Sequence, residues 1–326
     1  MSDMQYGRIP GIDKPVSRLV QGTTMVHDKQ PETEAFALLD ASFTAGFTCF
    51  DTAHVYAGGG NERMVGRWIN ARGLRDRVVI LAKGAHHNAD RNRVTPWDIT
   101  SDIHDSLARF KTDYLDLYVL HRDDPTFPVH LIVDVLNEHL RAGRIRAFGG
   151  SNWSHLRIQE ANTYAKLSGQ VPFAVSSPNF SLAEMHEEPW PNCVSISGRK
   201  GEAGRQWYQQ TQFPVFCWSS LASGFWSGRW TREEYATAQL PAGDLVRMCY
   251  CREDNFQRLD RARQLAAKKG VSVAHLAIAW VCSQPLNLYP LMAPVNAAEI
   301  ADNLAALQLK LTPRECAWLD LLADQP

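Results

Sequence analysis

A chain of 326 residues with 34 Lys and Arg against 35 Asp and Glu carries a formal charge of −1. It therefore has no global field with which to hold nucleic acid or an anionic membrane, and a small-molecule partner is expected. Its 45% hydrophobic content, with 10 Trp and 13 Phe, is ample for a buried core, and no uninterrupted apolar run approaches the roughly 20 residues of a membrane span.

The opening MSDMQYGRIPGIDK lacks the basic, apolar and small-residue order of a secretory signal. Seven cysteines is an odd number without a C-x-x-C pair, and Cys49, Cys217 and Cys282 sit inside apolar runs. Together these predict a reducing, cytoplasmic compartment. The oligomeric state, monomer or homo-oligomer, is left open.

In chain order, eight short apolar runs read as strands buried on both faces. They are VSRLVQGTT (16–24), FTCFDT (47–52), VVILAK (78–83), YLDLYVLH (114–121), IRAFGGSN (145–152), FAVSSPNF (173–180), FPVFCWSS (213–220) and LYPLMAP (288–294). Between them lie stretches with apolar residues three and four apart, among them PETEAFALLDASFTAGF, ITSDIHDSLARF, VHLIVDVLNEHLRAGR and NFQRLDRARQLAAKKG, which predict helices. Strand alternating with helix implies a parallel sheet, and eight strands imply closure into a (β/α)8 TIM barrel, a single domain over residues 1–326. An open doubly wound sheet is the alternative. Residues 184–210, rich in Gly, Pro and Ser, predict a long loop with a short helix between strands six and seven, and 312–326 predicts a C-terminal helix.

In a barrel the carboxyl ends of the strands converge on one mouth. The first end supplies Gly22, Thr23 and Thr24, the second Asp51 with Tyr56 just beyond, the third Lys83, the fourth His121, and the fifth Ser151 and Asn152. Taken alone, a D-x4-Y pair followed by three glycines is ordinary turn chemistry. A lysine closing VVILAK is different, because burying an unpaired ammonium is costly and calls for a carboxylate nearby. Asp51, one strand over, supplies it. The pair then places positive charge beside the Tyr56 hydroxyl and makes it a better proton donor, while His121 holds the substrate oxygen from its other side.

At these residues the chain resembles the aldo-keto reductases, in which Asp, Tyr, Lys and His occupy the corresponding strand ends. The resemblance rests on FDTAHVYAGGGNERMVG, ILAK, YLDLYVLHRDD, GGSNWS, FCWSSLASGFWSG and the closing AAEIADNLAAL and LTPRECAWLD, and covers nearly the whole chain. It implies reduction of an aldehyde or ketone to the alcohol, or the reverse, with Asp51, Tyr56, Lys83 and His121 as the catalytic set. It also implies a nicotinamide cofactor, NADP(H) with NAD(H) as the alternative, bound without a G-x-G-x-x-G motif, which this chain lacks after its first strand. By resemblance the cofactor meets Gly22, Thr23, Thr24, Asp51, Ser151, Asn152, Ser177, Trp218, Ser219, Leu221, Gly224 and Asn303. Trp218 would stack on the nicotinamide, and Asn303 would meet the adenine.

The chain departs from the family pattern at two places. Ser177 stands where Gln is usual, and LMAPVNAAEIADN holds Glu299 and no basic residue where the family commonly grips a 2′-phosphate. The expectation is NADPH with a preference over NADH of only about tenfold, unless Arg199, Lys200 or Arg229 reaches the phosphate. Met25, His54, His86, Trp190, Trp226 and Trp230 are candidates to shape the substrate mouth. Two rivals are weighed. A metal-dependent hydrolase using Asp51, His54, His86, His87 and His121 leaves Lys83 unexplained. The other is a non-catalytic cofactor-binding subunit of a membrane protein.

Overall fold

The computed structural model describes residues 4–227, 231–237 and 244–326. The chain opens with a hairpin, β1 (Tyr6–Ile9) and β2 (Ile12–Ser17), turned at Gly11 and paired antiparallel. The first predicted strand, 16–24, is thus divided. Its start belongs to this hairpin, and only β3 (Val20–Gly22) joins the barrel. The hairpin is tied across the amino-terminal ends of the strands by Lys14, whose ammonium donates to Asp116 (2.7 Å) and to the carbonyls of Arg75 and Val78. Ile9, Ile12 and Val16 thereby plug the interior from below.

The chain then alternates through α1 (Glu32–Thr44), β4 (Cys49–Asp51), α2 (Gly60–Arg72), β5 (Val79–Gly84), α3 (Pro96–Phe110) and β6 (Leu115–Leu120). It continues through α4 (Val129–Arg141), β7 (Ile145–Ser151), α5 (His155–Leu167), β8 (Val175–Ser177) and α6 (Glu202–Thr211). The remaining helices are α7 (Arg232–Thr237), α8 (Leu245–Tyr250), α9 (Glu253–Lys269) and α10 (Val273–Cys282), then β9 (Leu291–Met292), α11 (Ala297–Ala306) and α12 (Pro313–Leu319). The parallel strands stand in the order β8–β7–β6–β5–β4–β3–β9. Val215 bridges Ser176 on one side and Leu288 on the other, which closes the ring as a (β/α)8 barrel.

The predicted strand at 213–220 survives as isolated bridges rather than a continuous ladder. Pro214 has no N–H to donate, although its carbonyl accepts from Ser176 (2.9 Å), and beyond Trp218 the backbone turns left-handed at Ser219. The predicted C-terminal helix at 312–326 also ends early. Thr312 and Glu315 cap α12 reciprocally, but after Leu319 the chain turns left-handed at Leu321, and the Leu322 amide closes back on the Ala317 carbonyl (2.8 Å). The 184–210 loop does carry its short helix, α6, from residue 202.

Two-residue periodicity sorts the strand side chains. Phe50, Ile80, Ala82, Tyr118, Leu120 and Phe148 point outward into a core shared with Leu39, Trp68, Ile103 and Ile132 of the helices. Val20, Cys49, Val79, Leu81, Leu117, Val119, Val175 and Phe216 fill the interior, where Phe216 stacks on Tyr289 at 4.7 Å between ring centroids. The next inward positions up the strands are Asp51, Lys83 and His121, so the fold delivers all three to the top of the barrel.

Candidate active site

Register fixes how these residues meet. Asp51 is level with Leu81 on β5, so Lys83 stands two residues higher, and Lys83 is level with Val119, so His121 stands two higher again. The stagger is the tilt of the barrel strands. Lys83 reaches back across it to ion-pair with Asp51 and donates also to the Thr52 carbonyl (3.0 Å). Both members of the pair are buried. Burial raises the Asp51 carboxyl above its ordinary pKa against the pull of Lys83. Burial opposes the Lys83 ammonium as well, but Asp51 and the neighbouring Tyr56 outweigh it and raise its pKa.

Tyr56 is carried on the short turn Tyr56–Gly59 between β4 and α2. Gly59, with φ of 84°, lets the chain lie against Arg109, where a Cβ would come within 2.6 Å of the guanidinium carbon. Arg109 in turn donates to the buried Glu62 (2.9 Å) and to the His54 carbonyl (3.0 Å), bracing the turn from α2 and α3. The triple glycine therefore serves backbone geometry.

The Tyr56 and His121 rings meet edge to face at 5.8 Å, and His86 lies 4.8 Å from His121. Burial, followed by the positive charges of Lys83 and Arg122, pushes the His121 pKa well below 6.5. The ring is thus neutral at physiological pH, and its buried Nδ1 has no partner among the described residues. The arrangement combines a buried cation beside a phenol with a neutral imidazole, a set able to deliver a proton to a carbonyl oxygen and to hold that oxygen.

These four residues line one cleft of about 730 Å³, within the range of small-molecule sites. Of the expected cofactor positions, Gly22, Thr24, Asp51, Ser151, Asn152, Trp218, Ser219, Leu221, Gly224 and Asn303 line it, whereas Thr23 and Ser177 do not. Thr23 Oγ1 donates to the Asp51 carbonyl (2.7 Å) and accepts from Asn61 (2.9 Å), fastening β3 to β4 and α2. Ser177 is buried, and its carbonyl accepts from Ser151 Oγ (2.9 Å) and the Asn152 amide (3.1 Å). Asn152 spends its side chain on the His121 carbonyl and on the Val194 amide, which pins the long loop against the mouth.

Among the mouth candidates, His86 and the half-exposed Trp190 line the cleft. Met25 projects outward, Trp226 is a core residue, and His54 turns to Asp105 (3.0 Å). Trp230 and Arg229 lie outside the described residues, and neither Arg199 nor Lys200 lines the cleft. Among the described residues no three His, Cys, Asp or Glu side chains are grouped to hold a metal ion. Sequence reasoning missed Arg122 and Cys193, which also line the cleft. Arg122 directly follows His121, and that adjacency was the available signal.

At the far end, Glu299, Asp302 and Asn303 of α11 line the cleft. Asn296 caps α11 by accepting from the Glu299 amide (2.9 Å), and the Glu299 carboxylate accepts from the Val295 amide (3.1 Å). The helix start is answered by its own side chains. A nicotinamide dinucleotide fits this lining. Trp218 offers a half-buried ring whose Nε1 has no partner among the described residues, the turn at Ser219–Gly224, left-handed at Ser219, Ser223 and Gly224, lines the cleft, and Asn303 of α11 lines its far end.

The family model described as the aldo/keto reductase family matches residues 18–324. The chain is 24% identical over 340 residues to an NADP(+) aryl-alcohol dehydrogenase of Phanerodontia chrysosporium, covering 95% of this chain and 83% of that one. It is 28% identical over 327 residues to a probable voltage-gated potassium channel subunit beta of Oryza sativa subsp. japonica, covering 95% and 94%. The solved structure of a glycerol dehydrogenase from Gluconobacter oxydans superposes with a TM-score of 0.80 at 23% identity, covering 99% and 95%, and supports the fold.

Proposed function

The chain belongs to the aldo/keto reductase family, and from that premise we propose that it interconverts an aldehyde or ketone with its alcohol, using Tyr56 as the proton donor. A bound nicotinamide would supply the hydride. The observation that carries this reading is the buried Asp51–Lys83 pair set against Tyr56 and the neutral His121 in one cleft. Lys83 holds positive charge beside the phenol, so the charge left on Tyr56 as its proton departs is stabilised where it forms. His121, neutral, donates or accepts at the substrate oxygen without adding a second cation. Trp218, the Ser219–Gly224 turn and Asn303 would hold the cofactor. NADP(H), common in the family, is the proposed working cofactor; NAD(H) is the alternative, because α11's start has no basic side chain to anchor a 2′-phosphate. Seven free thiols support a reducing, cytoplasmic setting.

The test is a panel of aliphatic, aryl and sugar aldehydes and ketones with NADPH and with NADH, followed by loss of nicotinamide absorbance in the purified protein. Carbonyl-dependent oxidation of either cofactor supports the reading. Cofactor binding without turnover on any substrate overturns it in favour of a non-catalytic cofactor-binding subunit.

A further inference from the structure

Among the described residues lining the cleft, every ionic side chain but one meets an oppositely charged group or a helix start. Asp51 pairs with Lys83, Asp302 meets His275 (3.0 Å), and Glu299 caps its own helix. Arg122 has no carboxylate partner among the described residues. It is only 5% exposed, its Nε is enclosed without an acceptor, and Nη1 donates to the His121 carbonyl (3.0 Å). Asp123, next in sequence, turns instead to Arg157 (3.4 Å). Burial lowers the Arg122 pKa, yet a guanidinium stays charged under physiological conditions.

A buried guanidinium without a counter-charge is expensive to hold, and at a binding site the missing anion is naturally the ligand's. On the reductase reading cofactor and substrate would share this cleft, and topology separates their ends. Arg122 follows β6, on the opposite side of the ring from β9 and from α11, the end assigned above to the adenosine. Its titratable neighbours are on the reacting side: Tyr56, His86, His121 and Cys193, with no carboxylate among these described residues. Nη1 is fastened to the His121 main-chain carbonyl, and the guanidinium acts electrostatically on both Tyr56 and the His121 ring, so it belongs to the side of the cleft where those two side chains stand.

We propose that Arg122 is a specificity-determining residue that binds an anionic oxygen group of the substrate, so that the enzyme selects aldehydes and ketones bearing a carboxylate or phosphate a few bonds from the carbonyl. The planar fork suits either group, since both offer two coplanar oxygens. This rests on the reductase reading above and names its substrate class.

The experiment compares 4-formylbenzoate, 4-formylphenyl phosphate and methyl 4-formylbenzoate in the parent, Arg122→Lys and Arg122→Gln, with melting curves for each protein. The parent is expected to favour at least one anionic aldehyde over the neutral ester by about tenfold or more in kcat/KM, because a site built for a charged partner rejects the analogue lacking it. In Arg122→Gln that ratio should fall toward one, and Arg122→Lys should retain part of it. Whichever acid leads identifies the group. Quenching of tryptophan fluorescence by benzoate, relative to benzamide, gives an arm independent of turnover and should weaken in Arg122→Gln. A parent that reduces the ester as well as both acids overturns the proposal while leaving the reductase reading intact. So does an Arg122→Gln enzyme that keeps the anionic preference, or one that loses affinity for NADPH instead. If no aldehyde is reduced, the reductase reading fails, and the benzoate arm still decides whether Arg122 receives an anion.

Discussion

Lys83 lies over the face of Tyr56, its ammonium 5.1 Å from the ring centroid, while the same ammonium is ion-paired to Asp51. One buried cation therefore does two things: it neutralises a carboxylate largely withdrawn from water, and it sets the electrostatic environment of the phenol. Their relative placement comes from the strand stagger and from the Gly59 turn braced by Arg109.

Tyr56→Phe keeps the ring over Lys83 and removes only the hydroxyl. Turnover should fall by about two orders of magnitude or more, with cofactor affinity, followed by fluorescence titration, essentially retained. Parental turnover in this variant would remove Tyr56 from the reaction.

Lys83→Met preserves side-chain length but leaves Asp51 buried and unpaired. Unfolding in urea should show a loss of about 3 kcal/mol, together with a collapse in turnover. The double variant Lys83→Met with Asp51→Asn should recover much of the stability, because the orphaned charge is gone, and none of the activity. A single variant that unfolds and turns over like the parent would make Lys83 merely structural.

Cofactor choice is expected to turn on Glu299. Its carboxylate already accepts from the Val295 amide at the start of α11, where a 2′-phosphate would seek the same donors. The parent enzyme should prefer NADPH over NADH by only about tenfold in kcat/KM, roughly 1.4 kcal/mol. Glu299→Lys replaces the competing anion with a cation and should widen that preference by about another tenfold, visible also as tighter NADPH binding by fluorescence titration. A parental preference above about a thousandfold, some 4 kcal/mol, would reveal a phosphate clamp elsewhere, and a clear preference for NADH would mean that the missing basic residues decide the matter.

Acid should destabilise the protein partly through His139. Burial first, then the nearby Arg144 and His104, lowers its pKa from 6.5 to about 4, and its Nε2 shares a hydrogen bond with Thr100 (3.0 Å). Because the folded value lies below the ordinary one, its contribution is present above about pH 6.5 and is lost as pH falls toward 4. Between neutral pH and about pH 4.5 this one group should cost roughly 2 kcal/mol of stability. His139→Gln retains a polar partner for Thr100 without titrating, so its urea midpoint should fall less steeply over that interval. An identical acid slope in the two proteins would exclude His139.

Much of the barrel was legible because buried parallel strands leave short, doubly apolar runs, and 78–83, 114–121 and 145–152 lie close to β5, β6 and β7. The reading failed where the signal is weak. The 16–24 run mixes a plug hairpin with a barrel strand, and both are apolar because both face the interior. Around 213–220 the composition is strand-like, but Pro214 and the left-handed Ser219 limit pairing to single bridges. At 312–326 nothing in the composition marks the stop after Leu319, which is set by the closure of Leu322 on Ala317.

By itself, the sequence determined which side chains enter the barrel mouth. Asp51, Lys83 and His121 close apolar strands, and a two-residue period carries them inward once Cys49, Leu81 and Val119 are inside. Only the tertiary structure decided what each side chain does on arrival, because partners come from residues far apart in the chain. Thr23 is turned into the core by Asn61, 38 positions away, and Asn152 is engaged by Val194, 42 positions away. Glu299 folds back on its own helix start, and Arg122, beside an Asp that pairs elsewhere, meets no carboxylate among the described residues at the cleft. Periodicity is a local property that a strand expresses wherever it is buried, whereas neutralising or orphaning a charge depends on which distant groups the closed ring brings within a few ångströms.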